Sequence, residues 1–179
     1  MKKLLIASAV AMLASLSGVA SAATATATFN VSLTIQSSCT VTATDINLGS
    51  VAASTTTNVA SSGANSISVT CTKGTPYNIG LQSTAVGAAT NGTGTMTATN
   101  SNGVTGNTDS IAYALYRDAA FANAWGNVTG AGGNTRTGTV STNGTSATGY
   151  GVFVRVLGNN ITNKTADTYR DTIRVTVNY

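Results

Sequence analysis

The side chains that could carry chemistry in this sequence are few, and their types narrow it at once. Histidine and glutamate are absent, so the only acidic side chains are Asp45, Asp109, Asp118, Asp167 and Asp171. A hydrolytic triad has no imidazole to use, and a catalytic carboxylate needs a partner. Asp109, Asp118 and Asp171 stand alone in sequence, and Asp118 beside Arg117 reads as a turn former. The glycine-rich runs lack the strand–GxxxxGK[ST]–helix setting of a phosphate cradle, and no EF-hand spacing occurs. No enzyme, metal or cofactor is expected.

The chemistry left is that of Cys39 and Cys71, the only cysteines. Lys2 and Lys3, the mostly apolar run Leu4 to Val19, and Ala20-Ser21-Ala22 form the three parts of a secretory signal peptide over residues 1–22. An even cysteine count in an exported chain predicts a disulfide. The seven cations left after the signal peptide are scattered, without interleaved aromatics, so no nucleic-acid partner is expected. No later stretch is apolar enough to span a bilayer as a helix.

The elements that must position these residues are strands. Thr, Val, Gly and Asn are abundant and Pro76 is the only proline. That composition favours strands and turns, and the fold class is all-β. Thr24 to Ile35 alternates without a miss: Ala25, Ala27, Phe29, Val31, Leu33 and Ile35 against hydroxyls and an amide. This is a strand with one face to bury, and periodicity leaves open whether it fills its own core or a neighbour's.

Further strands are expected at Cys39–Ala43, a short one at Ile46 to Val51, then at Ile67–Cys71, Tyr77–Leu81 and Ser110–Tyr116. The alternation of Ile67, Val69 and Cys71 predicts a buried disulfide that ties this strand to the start of Cys39–Ala43. The Gly/Thr/Asn-rich residues 87–107 read as a loop or hairpin of weak register. Residues 119–127 could hold one helical turn. Tyr150–Leu157, apolar nearly throughout, reads as a central strand covered on both sides. Ile173, Val175, Val177 and Tyr179 alternate to the last residue, closing a β-sandwich.

Tyr113-x-Leu115-Tyr116-x-Asp118, Trp125-Gly126 and Tyr169-x-Asp171-Thr172-x-x-Val175-Thr176-Val177-x-Tyr179 resemble the spore coat U domain of subunits of archaic, Csu-type chaperone–usher pili. The chain departs from that pattern at Asp167, where glycine is common, and in lacking a proline in the preceding loop. The resemblance implies an incomplete immunoglobulin-like β-sandwich with an N-terminal donor strand. Residues 23–36 would be the donor strand and 37–179 the pilin domain. Ile173, Val175, Val177 and Tyr179 would line the open groove and pair with the chaperone.

The implied function is a structural pilus subunit of the shaft, the major pilin in the first place, with a minor adaptor left open. It would polymerise head to tail by donor-strand complementation, for adhesion and biofilm formation. Its partners would be neighbouring pilin subunits, a periplasmic chaperone and an outer-membrane usher. The implied location is a cell-surface pilus reached through the periplasm. The alternative is a self-contained secreted β-sandwich binding carbohydrate or a surface, with Phe121 and Trp125 as its clustered aromatics.

Overall fold

A computed structural model describes residues 23–61, 63, 65–101, 103–140 and 142–179. The expected signal peptide lies outside them. The chain divides into two units, Met1–Thr34 and Ile35–Tyr179. In the first, residues 23–34 form no strand, and Phe29, Val31 and Leu33 are exposed.

The second unit is all-β, apart from one 3-10 turn at Gly158–Asn160. Its strands are β1 (Cys39–Ala43), β2 (Val59–Ala60), β3 (Asn65–Cys71), β4 (Asn78–Ser83), β5 (Thr93–Ala98) and β6 (Ser110–Tyr116). Then come β7 (Arg136–Thr137), β8 (Thr148–Gly151), β9 (Phe153–Val156), β10 (Tyr169–Arg170) and β11 (Ile173–Asn178). They form antiparallel sheets in the orders β1-β3-β8, β10-β5-β6-β9-β2 and β11-β4-β7. The inward alternating residues of β3, β4, β6 and β9 make one core, closed by Trp125, Tyr77, Tyr150 and Ile161. The Trp125 indole N–H donates to the Ile79 carbonyl at 2.8 Å, so its polar edge is satisfied where no water reaches.

Four expectations need correction. Tyr150–Leu157 is two strands, not one, and they belong to different sheets. Its even positions, Tyr150, Val152, Val154 and Val156, are buried while Gly151, Phe153 and Arg155 are not, so it is one-faced. Apolar Phe153 on the outer face hid the alternation. Within residues 87–107, β5 has a fixed register on β6, Gly94 opposite Tyr113 and Met96 opposite Ile111. A Cβ on Gly94 would collide with the Tyr113 ring, so that register needs its glycine. Residues 119–127 hold no helix: the Asp118 carboxylate captures the N–H groups of Ala120, Ala122 and Asn123. This is a side-chain competitor for the backbone donors a helix would use. Finally, Ile46 and Leu48 pack against the core without forming a strand.

Candidate functional site

Four of the aspartates are spent on architecture. Asp118 closes its turn, and the bonds from Ala122 and Asn123 hold its carboxyl below the ordinary range. Asp109 accepts the Thr165 N–H at 2.8 Å and is lowered by that bond. Asp167 gathers the Asn100 and Ser101 amides, the Ser101 hydroxyl and the Asn107 amide. Desolvation opposes its charge, and the donors of Ser101, Thr168 and Asn107 outweigh it, so its carboxyl is held well below the ordinary range. Asp167 thus ties two loops together.

Asp171 accepts the Tyr113 hydroxyl at 2.6 Å and the Ser83 hydroxyl at 2.9 Å. Burial first, then this carboxylate, pushes the Tyr113 phenol far up. Among the described residues, no group of three or more His, Cys, Asp or Glu could hold a metal ion.

The feature left is a seam of partly buried apolar residues on two sheet edges, β1 and β11. Cys39 and Cys71 are bonded, and they face each other in the β1–β3 ladder with Cα atoms 4.1 Å apart. The same ladder sets Val41 opposite Val69 and Ala43 opposite Ile67. Opposed residues in an antiparallel pair share a face, so Cys39, Val41 and Ala43 point to the core side. Yet Val69 and Ile67 are buried, while Val41 is 39% exposed and Ala43 is exposed.

The last strand repeats the pattern. Ile173, Val175 and Val177 lie opposite Ser83, Leu81 and Ile79 and pack against the core, but all three are only half-buried. Tyr179 falls just beyond β11 and is 61% exposed. β1 and β11 are each the edge of a sheet, and they approach one another without pairing. Two sheet edges, each with apolar side chains turned to a core that they cover only in part, are available for pairing with an added strand.

In the first unit, Ala25, Ala27, Phe29, Val31 and Leu33 are exposed, as is Ile35 at the start of the second. The two aromatics of the carbohydrate-binding alternative are not brought together on a surface. Trp125 is fully buried, and Phe121 stacks on Tyr116 and Arg155. Missed from the sequence were Val41 and Ala43 as a wall of the seam. Their spacing from Cys39 was the available signal.

The family model of the Spore Coat Protein U domain matches residues 25–176. No curated protein matches the sequence. Among solved structures, the chain is similar to one from the chaperone–tip adhesion subunit pre-assembly complex of archaic chaperone–usher Csu pili of Acinetobacter baumannii. The identity is 21% and the TM-score 0.48, over 82% of this chain and 41% of that one. This chain therefore spans about two fifths of that chain's length.

Proposed function

The chain belongs to the spore coat protein U domain family, and from that premise we propose that it is a structural subunit of a chaperone–usher pilus. Residues 23–36 are its donor strand and 37–179 its acceptor body, with residues 1–22 the signal peptide for export to the periplasm. The observation that carries this reading is the seam between β1 and β11, where the core is lined but not covered.

Donated from a neighbour, Ala25, Ala27, Phe29, Val31, Leu33 and Ile35 turn one apolar face to that seam. Its walls are Val41 on one side and Ile173, Val175 and Val177 on the other, with Tyr179 at the rim. The four large donor side chains would contribute up to about 6–12 kcal/mol on full burial. Ladder hydrogen bonds along both edges add to this. Each subunit gives a strand at one place and receives at another, a heterologous contact that does not close and so builds a filament.

An uncovered apolar edge is an aggregation hazard, which gives a periplasmic chaperone its task before an outer-membrane usher exchanges it for the next subunit's strand. The β11 edge is the natural pairing site for the chaperone. A domain that carries its own donor strand suits the shaft of a surface filament serving adhesion and biofilm formation.

Leu33→Asp tests the reading. It should abolish the heat-labile, SDS-resistant ladder of subunits while leaving the chaperone-bound subunit folded. Normal ladders from this variant would overturn it.

A further inference from the structure

We infer that a shallow cleft on the outer face of β5, β6 and β9 binds a sugar ring that carries a carboxylate, a ligand of the uronate class. No residue of β1 or β11 lines this cleft. The site lies within one copy of the chain and goes beyond the pilin reading.

The floor of the cleft follows from strand alternation. Ile111, Tyr113 and Leu115 of β6 are buried, which turns Ala112, Ala114 and Tyr116 outward. Ala114 lies opposite Thr93 of β5 on one side and Arg155 of β9 on the other. Opposed residues share a face, so Thr93 and Arg155 stand on this outer surface too. Two methyl groups among longer neighbours leave a hollow of about 190 Å³. Ordinary ligand sites start at about 300 Å³, so this one suits a single ring. Leu157, 43% exposed, adds an apolar wall.

Arg155 supplies the charge. Its guanidinium lies 5.1 Å from the centre of the Tyr116 ring and 5.0 Å from that of Phe121. It also donates to the Tyr116 hydroxyl at 3.0 Å. Two rings and a hydrogen bond hold the fork in place before any ligand arrives. Phe121 reaches its position with φ at 54°, a left-handed region that bulky side chains rarely enter. The turn closed by Asp118 holds it there. No carboxylate lines the cleft, and among the described residues none pairs with Arg155. The other N–H groups of the fork reach solvent. A fixed planar fork with open donors matches a carboxylate. Arg155 is the only cation lining the cleft, which fits a carboxylate better than a doubly charged phosphate.

The remaining polar groups call for the opposite chemistry. The Thr93 hydroxyl donates to Asn91 Oδ1 at 2.7 Å, and Asn160 Nδ2 donates to the Ala112 carbonyl at 3.1 Å. What Thr93 and Asn160 keep for a ligand is chiefly acceptor oxygen. The cleft thus takes an anion at Arg155, hydroxyl donors at Thr93 and Asn160, and ring C–H groups on the alanine floor. A bare carboxylate leaves the acceptors unused, and a neutral sugar leaves the guanidinium unmatched.

Saturation-transfer difference NMR on the chain starting at Ala23 tests this, with glucuronate, glucose and acetate as probes. Glucuronate should bind with a Kd of about 1 mM. Glucose and acetate should bind about tenfold more weakly or worse, each lacking part of the match. Arg155→Gln keeps a planar amide without the charge and should weaken glucuronate by about tenfold or more. Ala112→Gln fills the floor from an exposed position, leaves Arg155 and its rings in place, and should weaken glucuronate as much. Acetate equal to glucuronate would reduce the cleft to an anion site, and glucose equal to glucuronate would leave Arg155 without a role. Either result overturns the inference. So does glucuronate binding that survives either substitution, or its absence from the original chain at about ten times the expected Kd. These outcomes leave the SDS-resistant ladder, by which the pilin reading is judged, untouched.

Discussion

β4 and β11 are partners rung for rung, yet one is finished and the other is not. Ile79 and Leu81 of β4 are 0% and 1% exposed, while Val177 and Val175 directly opposite them are only partly buried. Both strands alternate, and both turn their apolar side chains to the same core. The difference is that β4 has strands on both sides, β11 and β7, and β11 has one. Burial of a strand is thus a property of its neighbours as much as of its sequence. A half-buried apolar strand at a sheet edge marks where a neighbour belongs.

The sharpest way to break this comparison is truncation on each side of the ladder. Leu81→Ala should cost about 2–5 kcal/mol, the range for a fully packed core leucine. Val177→Ala should cost only about 1 kcal/mol in the free body, near half the transfer free energy of a buried valine. Chemical denaturation of the two variants measures both. In a polymer the cost of Val177→Ala should rise as the added strand covers it. If Val177→Ala is as costly as Leu81→Ala in the free body, the seam is already closed.

The disulfide comes next. It holds β1, the other unfinished edge, to the finished β3. Replacing Cys39 and Cys71 together by alanine should cost about 3–4 kcal/mol from loop entropy for the separation of 32 residues. Urea melts would show this, and binding of a peptide spanning residues 23–36 should fall further than stability does. Equal losses would mean that β1 is not a wall of the seam.

The sequence displayed its one-faced strands best, at sheet edges and within a sheet alike. Cys39–Ala43, Ser110–Tyr116 and the closing strand were legible because alternation over a one-sided surface is a local signal. The paired cysteines on one face announced their ladder for the same reason. Tyr150–Leu157 misled because Phe153 is apolar on the outer face, and because a switch between sheets at Val152 leaves no mark in hydropathy. β5 was hidden because its register depends on a glycine making room for the Tyr113 ring, a contact between residues distant in sequence. The N-terminal segment showed its apolar face plainly. Which core it fills leaves no mark in that alternation, because a strand presents the same apolar face to its own body as to a neighbour's.

A smaller effect separates the buried hydroxyls of the core from the exposed carboxylates of the loops. Tyr77 and Tyr150 meet hydroxyl to hydroxyl at 2.7 Å inside the core. Burial first, then this bond, pushes the Tyr77 phenol up from 10.0 to about 12. A raised phenol pKa favours the neutral form in the fold. Its stabilising contribution is full below pH 10, shrinks above it, and is gone once pH passes about 12. Tyr77→Phe should flatten the stability profile in that alkaline window, read by denaturant midpoints across the pH series.

The smallest effect is expected at Asp118, whose turn replaces the helix that residues 119–127 do not form. Its carboxyl is lowered by the N–H groups of Ala122 and Asn123. A depressed carboxylate contributes above its unfolded pKa and loses that contribution as pH falls through the folded one, so the change lies on the acid side. The group is exposed, and solvent screens it. Asp118→Asn keeps an acceptor oxygen and removes the charge, so it should leave neutral stability close to that of the original chain while weakening the acid dependence. Because the turn carries Phe121 onto Tyr116 of β6 and Arg155 of β9 and not onto β1 or β11, polymer formation should be unchanged. A variant that lost polymer while keeping its stability would move the interaction surface from the unfinished edges to this turn.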